Sequence, residues 1–529
     1  MTGTWQLVRL ILRRDRIIMP VWVLFIALVP VSYIATIDGL FPTAVEKAQY
    51  AATSASNAGF VALYGRLFGS SIGELVAWRA GFIPIVIGLA VILTVIRHTR
   101  TEEEAGRREL IGSTVVGRHA GLAAALITAG GASLVLGLVL AGAMSGNDMP
   151  GSGSLAFGLE MAASGWVFAG IAAIAAQLTA SAGTARGIAI TVLGVAFVLR
   201  VVGDISGMTD GPLAWMSGLS PFGWVQAIRP YGDDKFWLVL VVLAATVVLT
   251  AVAVALSGRR DVGVGMVPPR PGPATGALSS PLGLAWRLHR GLMAGWAGGF
   301  VALGVVLGYL AEGVGDLVGD NQAMKDVFAR LGGASGLIDA YLAGMTGFFG
   351  LIAGAYAIQA MLRARAEETA GHAEPVLATA TGRLGWMGSH LLFSLVGPAV
   401  VLVAAGLAMG ITHGLNVGDV GGELPRLLAG CVVQLPAVWI LSAITVLVFG
   451  LLPRLTVVAW VALALCLLVS LVGQAAGLDQ WVLDISPFTH LPKLPGGHVT
   501  ALPLVVLLVI AAAGTVAGVT GFRRRDVPA

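Results

Sequence analysis

Lysine is nearly missing from this sequence: Lys47, Lys235, Lys325 and Lys493 are the only four in 529 residues. Charge of either sign is scarce, with Asp, Glu, Lys and Arg together at 11%, where a soluble protein carries about 25%. So little charge does not cover a water-exposed surface, and the soluble classes are excluded. Only two cysteines occur, Cys431 and Cys466, both inside apolar runs. That excludes a disulfide framework or a CxxC metal motif and predicts buried, inert thiols. The eight histidines are scattered and no HExxH or carboxylate-rich motif is present, so no catalytic or metal site is expected in the chain. Nothing points to nucleic acid, because the arginines gather at the ends of apolar stretches, where membrane topology accounts for them.

What the sequence does hold is apolar residues, at 57%, a mean hydropathy of +0.88, and 73 glycines. Small residues let membrane helices approach closely. About 20 apolar residues cross a bilayer as a helix. Twelve stretches qualify: 17–37, 76–96, 120–144, 154–180, 187–207, 236–257, 292–312, 341–362, 386–411, 427–450, 455–475 and 501–522. The expected fold class is an all-α polytopic membrane protein with twelve transmembrane helices. The first stretch is longer than the roughly 7–15 residues of a signal-peptide core and lacks a clean cleavage site, which predicts a retained span. Residues 206–237 are too broken by Gly and Pro to cross. They predict short helices at the outer interface, with Trp215 and Trp224 as anchors. Placing the N-terminus inside puts most arginines on the cytoplasmic side and all four lysines outside, with both termini cytoplasmic.

The scarce charge is concentrated. Residues 97–118 read RHTRTEEEAGRRELIGSTVVGR, and a worn copy, RARAEETAGHAEPVLATATGR, returns at 363–383. At a constant offset of 265, Arg100, Glu102, Glu103, Gly106, Glu109 and Arg118 match Arg365, Glu367, Glu368, Gly371, Glu374 and Arg383. The same offset relates RRDV at 259–262 to RRDV at 524–527, and SPF at 220–222 returns at 486–488. The beginnings share LxxRxxRxxMxxW, through Leu10, Arg13, Arg16, Met19 and Trp22 and through Leu284, Arg287, Arg290, Met293 and Trp296. The repeat predicts two pseudo-symmetric six-helix halves in the same orientation, 1–257 and 284–529, joined by a Pro/Gly-rich cytoplasmic linker at 258–283.

The first charged stretch predicts one helix from Arg100 to Ile111, with Thr101 as its cap and Glu103–Arg107 and Glu104–Arg108 as i,i+4 pairs. Leu110 and Ile111 are expected to rest on the span ends. In the copy, Thr369, His372, Ala373 and Pro375 replace Glu104, Arg107, Arg108 and Leu110. That leaves a Glu368–His372 pair and a helix shortened or bent at Pro375. Arginine alone would set topology, whereas both signs in fixed order suit docking to a soluble partner.

Three functional classes are open to such a chain: an ATP-driven transporter, a gradient-driven transporter and an intramembrane enzyme. All cytoplasmic segments are too short for a nucleotide-hydrolysing domain, and a P-loop needs a lysine on that side. A gradient-driven transporter needs ionisable groups within the membrane. Glu160 is the candidate proton or cation site, with a hydrated interfacial carboxylate as the alternative. Arg79 and Arg200 lie near the outer ends of spans, and Glu74 is spaced to pair with Arg79. For an intramembrane enzyme, Glu102–Glu104 point in different directions on a helix.

The EEEAGRREL loop, WRAG at 78–81 and the six-plus-six layout together resemble the permeases of ABC exporters for polyketide-type antibiotics, the tetronasin-exporter-like group of actinobacteria. The resemblance implies a type-two ABC exporter transmembrane domain in the bacterial plasma membrane. It also implies two copies of a separate ABC ATP-binding subunit, which hold the ATP and Mg, with no cofactor in this chain. The charged loops would be coupling helices, through Arg100, Glu102, Glu103, Gly106, Arg107, Glu109 and Arg118 and through Arg365, Glu367, Glu368, Gly371, Glu374 and Arg383. Arg13 and Arg16, and Arg287 and Arg290, would mark elbow helices along the inner interface. Walls of aromatic, aliphatic and small residues suit a hydrophobic or amphipathic small molecule, with Phe82, Phe197, Phe348, Phe349 and Trp460 as candidate lining residues.

Overall fold

Inside a bilayer each backbone polar group must be satisfied within its own segment, which leaves helices for a chain of this composition. The computed structural model describes residues 2–268, 280–318, 336–470 and 479–526, and every regular element among them is helical. Among the described residues, eleven helices are long and apolar enough to cross a membrane, and Val457–Leu468 is a shorter apolar helix. These fall on the twelve expected stretches; part of the eleventh, 471–475, lies outside the described residues. The protein is an all-α polytopic membrane protein. It divides into two compact units, Met1–Gly272 and Pro273–Ala529.

The first unit opens with an amphipathic helix, Thr4–Arg14, whose Val8 and Ile11 are buried against Ala124. Asp15 ends it, and the first span, Ile18–Leu40, follows. Next come three short helices, Ala44–Ser56, Ala58–Tyr64 and Ile72–Arg79, the last of which takes the beginning of the expected second stretch, 76–96. Their signal is capping chemistry, not apolar length. Thr43 with Glu46 and Ser71 with Glu74 form reciprocal capping boxes, and Asn57 caps the middle helix. The WRAG stretch is therefore a helix end, after which the second span starts at Ile83 and runs to His98.

The remaining spans of this unit are Ala120–Ser145, Gly151–Leu178, Ala182–Ser206 and Phe236–Gly258. The fourth is the buried core, and its Gly, Ala and Ser residues are the reason. A Cβ on Gly158 would collide with the carbonyl oxygen of Gly137 in the third span, and one on Gly137 with that of Gly158. Two glycines let these helices touch backbone to backbone. Between the fifth and sixth spans lie 3-10 turns at Gly207–Thr209 and Ala214–Leu219 and a helix at Pro221–Gln226. These are the short broken helices expected there. Trp215 is exposed, and Trp224 donates to the Gly218 carbonyl.

The second unit has helices Pro281–Val318, Leu337–Thr369, Arg383–Val417, Val420–Val432 continued by Leu435–Leu451, Val457–Leu468 and Ala501–Arg524. Two of its departures from the first unit bear on the charged segments. Arg287 and Arg290 sit on an unbroken helix of 38 residues, about 57 Å long at 1.5 Å per residue, not on a separate segment like Thr4–Arg14. Its second span also runs on through Arg365 to Thr369, whereas the first unit's stops at His98 and restarts at Arg100.

Candidate functional site

Each charged loop folds as helix, glycine, helix, not as one helix. In the first unit Arg100–Glu104 and Arg107–Gly112 flank Gly106 at φ 69°. In the second, the end of Leu337–Thr369 and Ala373–Leu377 flank Gly371 at φ 72°. A left-handed residue at the same repeat position turns the chain and breaks the i,i+4 register. Neither expected pair forms. Arg107 folds back onto Glu102 at 2.8 and 2.9 Å, and this bond holds its guanidinium above the usual arginine range. Glu104 instead accepts from the backbone N–H of Ala182, 3.0 Å away at the start of the fifth span. Thr101 does not cap the helix; its hydroxyl accepts from Arg186 at 3.0 Å, and Thr99 occupies the cap position. Leu110, expected to rest on the span ends, is 73% exposed, while Ile111 is half-buried.

The two limbs of the first loop have opposite surroundings. Arg107–Gly112 contains no buried residue. Arg100–Glu104 is built into the bundle. The Glu103 carboxylate is buried among three guanidiniums, Arg100 at 2.8 Å, Arg260 at 2.9 Å and Arg108 at 3.2 Å. Arg100, 1% exposed, also donates to the carbonyls of Ala176 at 2.9 Å and Val264 at 3.2 Å. Arg260 reaches the Gln177 side chain at 2.8 Å. The chain after the sixth span lies along the end of the fourth, with the N–H groups of Met266 and Val267 donating to Gln177 and Leu178. Buried charge is tolerated only when paired and hydrogen-bonded. Meeting that condition here draws the ends of the second, fourth, fifth and sixth spans onto one five-residue helix.

The copy keeps the centre of this arrangement. Glu368 accepts two bonds of 2.7 Å from Arg525, with Arg365 at 3.5 Å. Arg525 also lies over the rings of Phe449 and Phe522, 4.9 and 5.0 Å from their centroids. Arg118 donates to the carbonyl of Arg260 at 2.9 Å, and Arg383 to that of Arg525 at 2.7 Å. Arg260 and Arg525 are therefore site residues that sequence reasoning missed. Their signal was present, since RRDV shares the loop's offset of 265.

The other sequence candidates are placed as follows. Glu109, Glu374, Arg118 and Arg383 are exposed. Glu367 takes Arg363 at 2.7 Å and His372 at 3.1 Å, so His372 pairs with Glu367 and not with Glu368. Arg13, Arg16, Arg287 and Arg290 are exposed, and it is Arg14 that bonds Glu102, at 2.8 Å. Arg79 donates to the Tyr50 hydroxyl at 2.8 Å while Glu74 is held by its capping box, so these two do not pair. Arg200 is buried, donating to the Val61 carbonyl at 2.9 Å, with Asp204 at 3.7 Å. Glu160 is 3% exposed. It has no hydrogen bond or ion pair among the described residues and lines a small pocket with Tyr64, Trp78, Gln226, Arg66 and Arg229.

The aromatic candidates are not gathered around that pocket. Phe82 is half-buried beside Tyr64, with centroids 6.4 Å apart, and Phe197 lies under Arg200 at 4.7 Å. Phe349 is fully buried against Phe300, with ring centroids 5.3 Å apart, while Phe348 and Trp460 are exposed. Among the described residues, no three His, Cys, Asp or Glu side chains stand together as a metal site.

Two comparisons with known proteins agree. The family described as "Multidrug efflux system permease Rv1217c, C-terminal domain" matches residues 8–256 and 278–523. The multidrug efflux system permease protein Rv1217c of Mycobacterium tuberculosis (strain ATCC 25618 / H37Rv) is 46% identical over 530 residues, covering 99% of this chain and 95% of that protein.

Proposed function

The chain belongs to the family of the multidrug efflux system permease Rv1217c, and from that premise we propose that it is the transmembrane subunit of an ATP-driven ABC exporter. It is a multi-pass membrane permease of the drug-efflux type; the energy source, partner and direction are the proposal. Two copies of a separate ATP-binding subunit, which hold the ATP and Mg, dock one on each charged loop from the cytoplasm, where both termini also lie. Substrates are hydrophobic or amphipathic small molecules, and polyketide-type antibiotics are the first to try, given the resemblance to the tetronasin-exporter-like group.

The observation that carries this reading is the division of the first loop into an exposed limb, Arg107–Gly112, and a limb buried among span ends. A loop that only fixed topology would not need a buried charged centre repeated in the second unit. A partner that grips the outer limb displaces the inner one, and with it the ends of several spans. ATP-driven closure of the two partners thereby biases the permease between two global states.

A second reading, a gradient-driven transporter using Glu160, is favoured by the burial of that carboxylate without a partner among the described residues. Purification of the chain from native membranes separates the two. The ATP-driven reading expects a co-purifying P-loop subunit in a 2:1 ratio with ATP hydrolysis that rises on adding drug. A chain that purifies alone and accumulates ethidium in vesicles with a proton gradient and no ATP overturns it.

A further inference from the structure

The RRDV motif recurs at the same offset as the charged loop, and nothing in the proposed docking requires it. In both units its second arginine ends on the buried glutamate of that loop, Arg260 on Glu103 at 2.9 Å and Arg525 on Glu368 at 2.7 Å. The two partners are 157 residues apart in each case. Arg260 stands two residues past the last span of its unit, Phe236–Gly258, and Arg525 directly follows Ala501–Arg524. Each glutamate belongs to the loop that leaves the second span. The same arginines offer their own carbonyls to Arg118 and Arg383 at the far end of the loop. The loop is thus held at both ends by one residue just past a span it does not adjoin in sequence.

We propose that Arg260 and Arg525 are positioning residues for energy transfer, clamping each charged loop to the last span of its own half. Displacement of the loop by the partner is then delivered to the sixth and twelfth spans, not only to the two spans that the loop connects. The clamp is stiff because both carboxylates are buried and both arginines have further anchors. For Arg260 these are Gln177 and the carbonyl of Val264, and for Arg525 the rings of Phe449 and Phe522. The proposal rests on the ATP-driven reading and deepens it.

The test is a double-mutant cycle on the full chain, purified with its ATPase and reconstituted in liposomes. The variants are Glu368→Gln, Arg525→Met, their double and Arg525→Lys, with Arg260→Met and Arg260→Lys for the first unit. ATPase retained per permease, basal ATP hydrolysis and ethidium moved per ATP are read separately. The expected result is retained ATPase and hydrolysis in the arginine variants, with transport per ATP falling at least about fivefold in each single variant, the lower end of typical coupling between sites. The Glu368→Gln/Arg525→Met double is expected to be no worse than either single, and the lysine variants to keep at least half but not all of the unmodified protein's transport per ATP. Additive losses in the double overturn the proposal. So does a loss that follows release of the ATPase, or an unchanged transport ratio. If the methionine variants fail to reach the membrane, the lysine variants decide, since they keep charge while loosening the clamp. A small, measurable fall in ethidium per ATP supports the proposal, and none overturns it. If the unmodified protein needs no ATP, the underlying reading fails first, a result distinct from all of these.

Discussion

Reversing the buried glutamate of each loop is expected to injure the protein unequally. Glu103→Lys leaves Arg100, Arg108 and Arg260, all within 3.2 Å of the carboxylate, without their shared counter-charge and adds a fourth cation. Breaking a single buried pair costs about 3–5 kcal/mol. Glu368→Lys strands only two cations. Of these, Arg365 stands 3.5 Å away and partly exposed, and Arg525 retains its aromatic stack. The first unit therefore loses one further charged hydrogen bond, worth about 1.5–3 kcal/mol before discounting the partial exposure of Arg108. At 1.4 kcal/mol per factor of ten, drug-stimulated ATP hydrolysis should fall about tenfold further in Glu103→Lys than in Glu368→Lys. Both proteins would be measured at equal membrane level in the reconstituted complex. Equal losses, or a larger loss in Glu368→Lys, would refute the reasoning.

Other expectations follow from single positions. Gly106→Ala and Gly371→Ala meet no neighbouring atom, so each should cost only the left-handed strain of about 1–2 kcal/mol, read as a lowered detergent melting temperature with the complex still assembled. Gly158→Leu should abolish monodisperse protein by size-exclusion chromatography, because its side chain enters the Gly137 backbone. Leu110→Asp, on the exposed limb, should leave the melting temperature of the chain unchanged and weaken capture of the ATPase in a pull-down. Glu160→Gln should keep ATP-driven ethidium transport when the proton gradient is collapsed; loss of all transport in that variant would favour the gradient reading.

The spans were legible because a bilayer demands runs of apolar residues, and such runs survive in any reading of the chain. The helices at Ala44–Ser56 and Ile72–Arg79 were not, since their information lies in Thr43–Glu46 and Ser71–Glu74, short polar signals outside the apolar runs. The loops were located by their repeat but misread in register. A helical pattern of Glu and Arg hides a glycine that adopts positive φ, and Gly106 and Gly371 decide which charges meet. Arg14 on Glu102 and Arg260 on Glu103 join residues far apart in sequence, which no local spacing reveals. Of such contacts only the constant offset of 265 left a trace in the sequence.

The most direct test of the central claim is ethidium transport by the permease reconstituted with its ATP-binding partner, with ATP and with an imposed proton gradient applied separately. The account predicts transport with ATP and Mg alone, abolished by a non-hydrolysable ATP analogue and unaffected by collapsing the gradient. Transport by the permease without its partner, driven by the gradient and indifferent to ATP, would contradict it.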